Sequence, residues 1–211
     1  KKNATVVFDS TVAFGGRSFP YKVLQLDRPA NQTMPTGEIC GYYPDDISVG
    51  DLDGDGEYEL VVKWMPSNFK DNAQSGEGAY TGTMFIDAYK LDGTKLWRIN
   101  LGRNIRAGAH YAQFQVYDYD GDGKAEMIVN TADGTIDGKG NVIGDSSKDY
   151  RNTSGIIVTG PEYLTVFNGA DGAEITTIDY VPPRSIRKMD ASSEGWGDTY
   201  GNRCARFFGA T

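Results

Sequence analysis

The chain has 211 residues, with 21 Lys and Arg against 29 Asp and Glu, a formal net charge of −8. Apolar residues make up 39% and charged residues 24%, enough for a packed core and too balanced for a disordered acidic tail. An acidic chain without a basic block is a poor partner for nucleic acid or an anionic membrane surface, and no apolar run approaches the ~20 residues of a membrane span.

Residues 1–35 carry no internal repeat and read as the end of a preceding β element or a linker. Residues 1–20 lack the hydrophobic stretch of a signal peptide. From residue 36 onward the chain repeats. Asp51-Leu52-Asp53-Gly54-Asp55-Gly56-Glu57-Tyr58-Glu59 returns 67 residues on as Asp118-Tyr119-Asp120-Gly121-Asp122-Gly123-Lys124-Ala125-Glu126. Both read D-x-D-G-D-G-x-x-E, and each runs into an apolar stretch, Leu60–Trp64 and Met127–Val129. A second pair interleaves with the first. Ala88–Leu96 and Val166–Ile175 each place two short β-prone runs around an Asp-Gly turn, the sequence signature of a hairpin.

No segment shows a capped 3.6-residue period, so helix is expected to be scarce. Glycine is in excess, 27 of 211 residues, roughly 13% against about 7% in average proteins, as many tight turns require. Short strands in units of about 50–70 residues predict an all-β fold, a calcium-stabilised β-propeller. About two to three blades fit within residues 36–211. Residues 203–211 read as the start of a strand, and the chain is expected to be part of a longer protein.

The aspartate loops carry the clearest chemistry. A hard cation such as Ca2+ takes six to eight oxygen ligands. Acids at positions 1, 3 and 5 converge on one point when glycines at 4 and 6 let the backbone curl. Position 7 offers a carbonyl, and an acid at position 9 closes the sphere. One predicted site is therefore Asp51, Asp53, Asp55, the Glu57 backbone and Glu59. The other is Asp118, Asp120, Asp122, the Lys124 backbone and Glu126. An EF-hand needs an acid at position 12, which here is Val62 or Val129. An ion-free turn is disfavoured, because three carboxylates within five residues repel without a cation. A structural ion is the better reading for both loops.

His110, the single histidine, reads either as a general base or as a hydrogen-bonded loop residue. Lys63 is expected to follow a strand and reads by default as a solvated lysine, or else as one pointing inward to the carboxylate of a bound ligand. Cys40 and Cys204 match no metal or redox spacing and are expected as small buried hydrophobes, although a disulfide stays open. No glycine pattern fits a nucleotide loop. Asn3, Asn31 and Asn152 lie in N-x-S/T sequons, relevant only in a glycosylating host.

These strings resemble a known family. Asp51–Glu59, Tyr89–Gly102, Asn104–Tyr111, Thr131–Thr135, Ser154–Phe167 and Trp196–Arg203 are similar to stretches of the rhamnogalacturonan lyases of polysaccharide lyase family 11. The resemblance covers roughly residues 40–208. It implies a secreted or periplasmic bacterial enzyme with an eight-bladed, calcium-bearing propeller, completed here by further blades of the same protein. The implied substrate is pectic rhamnogalacturonan I, cleaved between rhamnose and galacturonate by β-elimination. The basic and aromatic residues tied to proton transfer in the family are expected in later blades beyond this chain, which leaves the catalytic residues here unknown. The substrate-facing candidates are Asp45, Asp46, Arg106 and Asp133, with Lys63 and His110 as candidates for the unassigned catalytic role. Two departures stand out: Asp45-Asp46 where the family tends to Asn-Asp, and Arg203-Cys204-Ala205-Arg206-Phe207 where it reads R-V-D-R-F. The alternative is a non-catalytic calcium-stabilised propeller for carbohydrate binding or adhesion, as in integrin α-chains. The Gly160–Thr165 and Trp196–Arg203 strings have no reason to occur in such a module.

Overall fold

The computed structural model describes residues 5–14, 17–72, 80–184 and 196–206. Strands dominate it. β1 (Thr5–Phe14) and β2 (Arg17–Gln25) form an antiparallel hairpin, and β3 (Gln32–Thr33) pairs with β4 (Ile39–Cys40). β5 (Tyr42–Gly50), β6 (Glu59–Pro66), β7 (Phe85–Tyr89) and β8 (Lys95–Asn100) then run as an up-and-down meander. A second four-stranded antiparallel sheet is built from β9 (Phe114–Tyr117), β10 (Glu126–Thr131), β13 (Tyr163–Phe167) and β14 (Glu174–Asp179). Between β10 and β13 the chain leaves that sheet. β11 (Thr135–Ile136) and β12 (Val142–Ile143) join the outer edge of the first sheet, where Ile136 pairs with Asn100 of β8.

The strand patterns follow from what covers them. All eight residues of β6 are buried, because the strand is covered on both faces. Leu60, Val62 and Trp64 turn to one side and pack with Leu24, Leu26, Tyr42 and Tyr89. Val61 and Met65 turn to the other, into a core shared by the two sheets with Ile86, Ile99, Met127, Val129 and Phe167. β14, reading Glu-Ile-Thr-Thr-Ile-Asp, is almost wholly exposed at the sheet edge. Both predicted hairpins form. Their turns, residues 90–94 and 168–173, are closed by bonds from Lys90 N to Thr94 O and from Asn168 N to Ala173 O.

A polar network lies beneath the outer face of the first sheet. The carboxylate of Asp87, which has no exposed surface, accepts hydrogen bonds from Trp64 Nε1 at 2.9 Å and Tyr89 Oη at 2.6 Å. Arg98 adds two more, from Nε at 2.7 Å and a terminal nitrogen at 2.6 Å. Burial, and then the Asp87 charge, hold the Tyr89 phenol well above its ordinary range.

One element differs from expectation. The stretch read as a strand start is a short helix, α1 (Asn202–Arg206). The Asp198 carboxylate supplies the reason: Oδ1 accepts from Gly201 N at 2.7 Å and Oδ2 from Arg203 N at 2.7 Å. A side chain that satisfies successive backbone amides starts a helix rather than a strand. Phe207 and the residues after it, like Asn3, lie outside the described residues. Cys40 and Cys204 are both buried and unpaired.

Candidate metal centres and active site

The two aspartate loops share the bonds that curl them. Asp51 Oδ1 accepts from Gly54 N at 2.7 Å and Oδ2 from Gly56 N at 2.9 Å. Asp118 accepts from Gly121 N and Gly123 N at the same two distances. Position 9 closes each loop, Glu59 on the Leu52 amide and Glu126 on the Tyr119 amide. Positions 4 and 6 have φ of +80° and +85° in the first loop and +78° and +89° in the second, a conformation that glycine adopts without strain. The sequence thus encodes one curled loop twice, each followed by a buried strand.

Carboxylate oxygens of Asp51, Asp53 and Glu59 lie within 4.8 Å of one another, as do those of Asp118, Asp120 and Asp122. Both donor sets are wholly oxygen, the chemistry preferred by a hard divalent cation. Burial raises the carboxyl pKa of Glu59 and Glu126; the amides of Leu52 and Tyr119 oppose it, and the neighbouring aspartates add to it. Buried acids held against like charges are the arrangement that a cation relieves.

The loops differ in the charge that faces them. Lys90, at the end of β7, places its ammonium 2.6 Å from Asp53 and 3.2 Å from Asp55. The corresponding position after β13 is Asn168, an uncharged residue. The first loop therefore carries a built-in cation that the second lacks, and Asp55 turns toward it. The two loops are also neighbours: Ala125 N donates to Asp51 O at 2.7 Å.

The candidates Asp45, Asp46 and Lys63 come together, but not as expected. Lys63 lies within β6 rather than after it, and is 1% exposed rather than solvated. It shares the face of Val61 and Met65, which points into the space between the sheets. Its Nζ donates to Asp46 Oδ2 and lies 3.4 Å from Asp45 Oδ2. The register slip between Pro44 and Ile47 is what turns the two aspartates toward it. The lysine offsets the charge of one of the two carboxylates.

His110 stands apart, in the loop between β8 and β9, with its side chain 57% exposed. Its Nδ1 is bonded to Asp71 Oδ2. Arg206 Nη2, from α1, lies 3.3 Å from the same Asp71 oxygen and 3.2 Å from His110 Nδ1. Burial pushes the Asp71 carboxyl up, but the hydrogen bonds from His110 and Arg206 more than reverse this and leave it low.

Arg106 and Asp133 are both buried, with side chains bonded to neighbouring loops. Arg106 donates to Lys70 O at 3.1 Å and Gly155 O at 2.8 Å, so it ties loops together. Asp133 accepts from Asp145 N, Tyr150 Oη and Tyr163 Oη. Burial and then Asp133 push the Tyr163 phenol up to about 12. Sequence reasoning missed Asp71, Lys90 and Arg206. Each meets its partner only through the fold; Lys90 and Arg206 lie in strings that resemble the family, but nothing in those strings names the partner.

A sequence profile described as "Rhamnogalacturonan lyase family 11, C-terminal domain" matches residues 21–211. The chain belongs to rhamnogalacturonan lyase family 11. Among family 11 relatives, it is 60% identical over 188 residues to "Rhamnogalacturonan endolyase YesW" of Bacillus subtilis (strain 168), covering 89% of this chain and 29% of that protein. It is likewise 60% identical over 186 residues to "Rhamnogalacturonan exolyase YesX" of the same organism, covering 88% and 29%. The fold is similar to the crystal structure of exotype rhamnogalacturonan lyase YesX, with a TM-score of 0.77, 54% identity, and coverage of 90% of this chain and 32% of that one. The Bacillus licheniformis rhamnogalacturonan lyase PL11 gives the same TM-score and identity, covering 90% and 33%. This family 11 chain thus spans less than a third of the length of these relatives.

Proposed function

We propose that this chain forms part of the catalytic body of a polysaccharide lyase that cleaves the rhamnose–galacturonate backbone of rhamnogalacturonan I by β-elimination. Family 11 membership carries the reading, together with relatives named as lyases of this polymer. The two four-stranded meanders, sharing one core, suit neighbouring blades of a propeller, and further blades of the same protein complete its ring. The relatives being bacterial enzymes that act on a plant polymer, a secreted or periplasmic location fits. Among the described residues no helix is long and apolar enough to cross a membrane.

The proton at C5 of galacturonate is weakly acidic, and elimination breaks the C5–H and C4–O bonds while C4=C5 forms. A cation bound near the uronate would supply charge stabilisation for the enolate-like transition state. In this chain Asp51, Asp53 and Glu59, and Asp118, Asp120 and Asp122, would hold Ca2+. Their position in turns preceding buried strands favours a structural task, fixing the loops that carry β6 and β10. Asp45 and Asp46, with Lys63 offsetting one charge, form a polar cluster on β5 available to substrate. The test is digestion of rhamnogalacturonan I by the intact protein, read as ultraviolet absorbance of the unsaturated uronate. Product is expected in calcium and lost in chelator. Binding of the polymer without unsaturated product would favour a non-catalytic module instead.

A further inference from the structure

The Asp71–His110–Arg206 cluster is assembled from three distant stretches and braced from beneath by one buried side chain. Tyr111, next to His110 and 1% exposed, accepts from Asn72 N at 2.8 Å and donates to Asn202 Oδ1 at 2.6 Å. Asn72 follows Asp71, and Asn202 lies one helical turn before Arg206. The same phenol therefore bolts together the three segments that carry the exposed residues. Lys70 N also donates to Ala107 O at 3.1 Å, fixing the loop of Asp71 against that of His110. Asp71 itself is wedged: its Oδ1 lies against Gly108, where a Cβ would come within 2.4 Å. Pre-organisation of this kind is what a recognition site requires and a chance surface ion pair lacks.

The chemistry of the exposed edge follows. A carboxylate only accepts, so in the neutral ring the proton sits on Nδ1, facing Asp71. Nε2 is then an acceptor that no described residue bonds, on a ring whose side chain is mostly exposed. Arg206, with a side chain 45% exposed, keeps donors beyond those used on Asp71, and its guanidinium suits a carboxylate. One acceptor beside one fixed cation matches a sugar hydroxyl beside a carboxylate.

We propose that Asp71, His110 and Arg206 form a subsite for a hexuronate unit, with the carboxylate on Arg206, a ring hydroxyl donating to His110 Nε2, and Asp71 as positioning residue. This deepens the lyase reading and rests on it for the identity of the sugar, not for the binding. The experiment uses the intact protein and an oligosaccharide of alternating rhamnose and galacturonate, with a carboxyl-reduced oligosaccharide as control. Arg206→Met is expected to weaken binding of the acidic oligosaccharide about 10- to 100-fold, with little effect on the reduced one. Asp71→Asn is expected to raise KM with kcat within about twofold. Nitrogen–proton NMR, with the signal assigned by its loss in His110→Asn, is expected to show the Nδ1–H tautomer in the wild type and its loss in Asp71→Asn. An Nε2–H tautomer in the wild type overturns the proposal without any variant. So does a fall in kcat at unchanged KM in Asp71→Asn, which would make His110 the base. If the wild type binds uronate as described but yields no unsaturated product, the lyase reading fails and the subsite stands.

Discussion

Replacing Asp87 by Asn tests whether the network under the first sheet holds it together. The substitution keeps the shape of the side chain and removes its charge. Four donor groups, from Trp64, Tyr89 and twice from Arg98, point at two carboxylate oxygens with no exposed surface. Three of the four donors reach Oδ2 and only Arg98 Nε reaches Oδ1, so an amide with its oxygen at the Oδ2 position turns its NH2 on Arg98 Nε, loses that bond and leaves the guanidinium without a counter-charge. Each buried donor left unpaired costs about 1–3 kcal/mol, and uncoupling a buried charge pair costs about 3–5 kcal/mol. Arg98 is 24% exposed and keeps its bond to the Asp27 carbonyl, which places the loss at the low end, about 3 kcal/mol. At about 2–4 °C per kcal/mol for a unit of this size, the melting transition is expected to fall by about 6–12 °C. Calorimetry and urea unfolding of the intact protein give the value, with exposed Glu174→Gln as a control that stays within about 0.5 kcal/mol. A loss under about 1 kcal/mol for Asp87→Asn would refute the reasoning, because the donors would have found other partners.

The asymmetry at Lys90 gives a calcium prediction: Lys90→Met is expected to destabilise the chelated protein and to tighten calcium binding at the first loop, leaving the second loop unchanged, as calorimetric titration would report. Gly121→Ala meets no neighbouring atom but forces a Cβ onto φ +78°; thermal unfolding is expected to register a loss of about 1–2 kcal/mol, with weaker calcium binding at that loop. The hydrogen bond from Lys95 lowers the Asp27 carboxyl, burial opposing it and the charges of Lys95 and Arg98 adding to the fall. A depressed folded-state value means that this contribution is full above the unfolded value of about 3.9 and disappears as pH falls through the folded one. Lys95→Met is therefore expected to flatten the acid limb of the stability–pH curve, and an unchanged limb would count against the pair.

What could be read from the sequence was what is local. Each calcium-type loop, the apolar strand behind it and each Asp-Gly hairpin occupy a dozen or so consecutive residues, so their chemistry is written in order. Lys63 was harder, because its two carboxylates belong to a bulge on the neighbouring strand, and an alternating strand pattern shows a lysine's position but not its partner. Arg106 and Asp133 carry charges that the sequence associates with the surface, yet inside the fold Arg106 donates to backbone carbonyls and Asp133 accepts from tyrosine hydroxyls. His110 lies 39 residues from Asp71 and 96 from Arg206. No spacing rule joins residues that only a closed fold makes neighbours. The α1 segment reads differently from its structure because Arg203–Phe208 is too short to show a helical period and ends in two phenylalanines, while the capping Asp198 stands outside it.

The excursion of β11 and β12 governs how this chain can come apart. After β10 the backbone returns to the edge of the earlier sheet, pairs there, and only then goes back to supply β13. In an ordinary tandem array each repeat touches only its neighbours and can fray alone. Here the second sheet lacks β13 and β14 until the first has received its extra hairpin. The two sheets are laced like a boot, so unfolding of one is expected to drag the other with it, and a cut anywhere between β10 and β13 would loosen both.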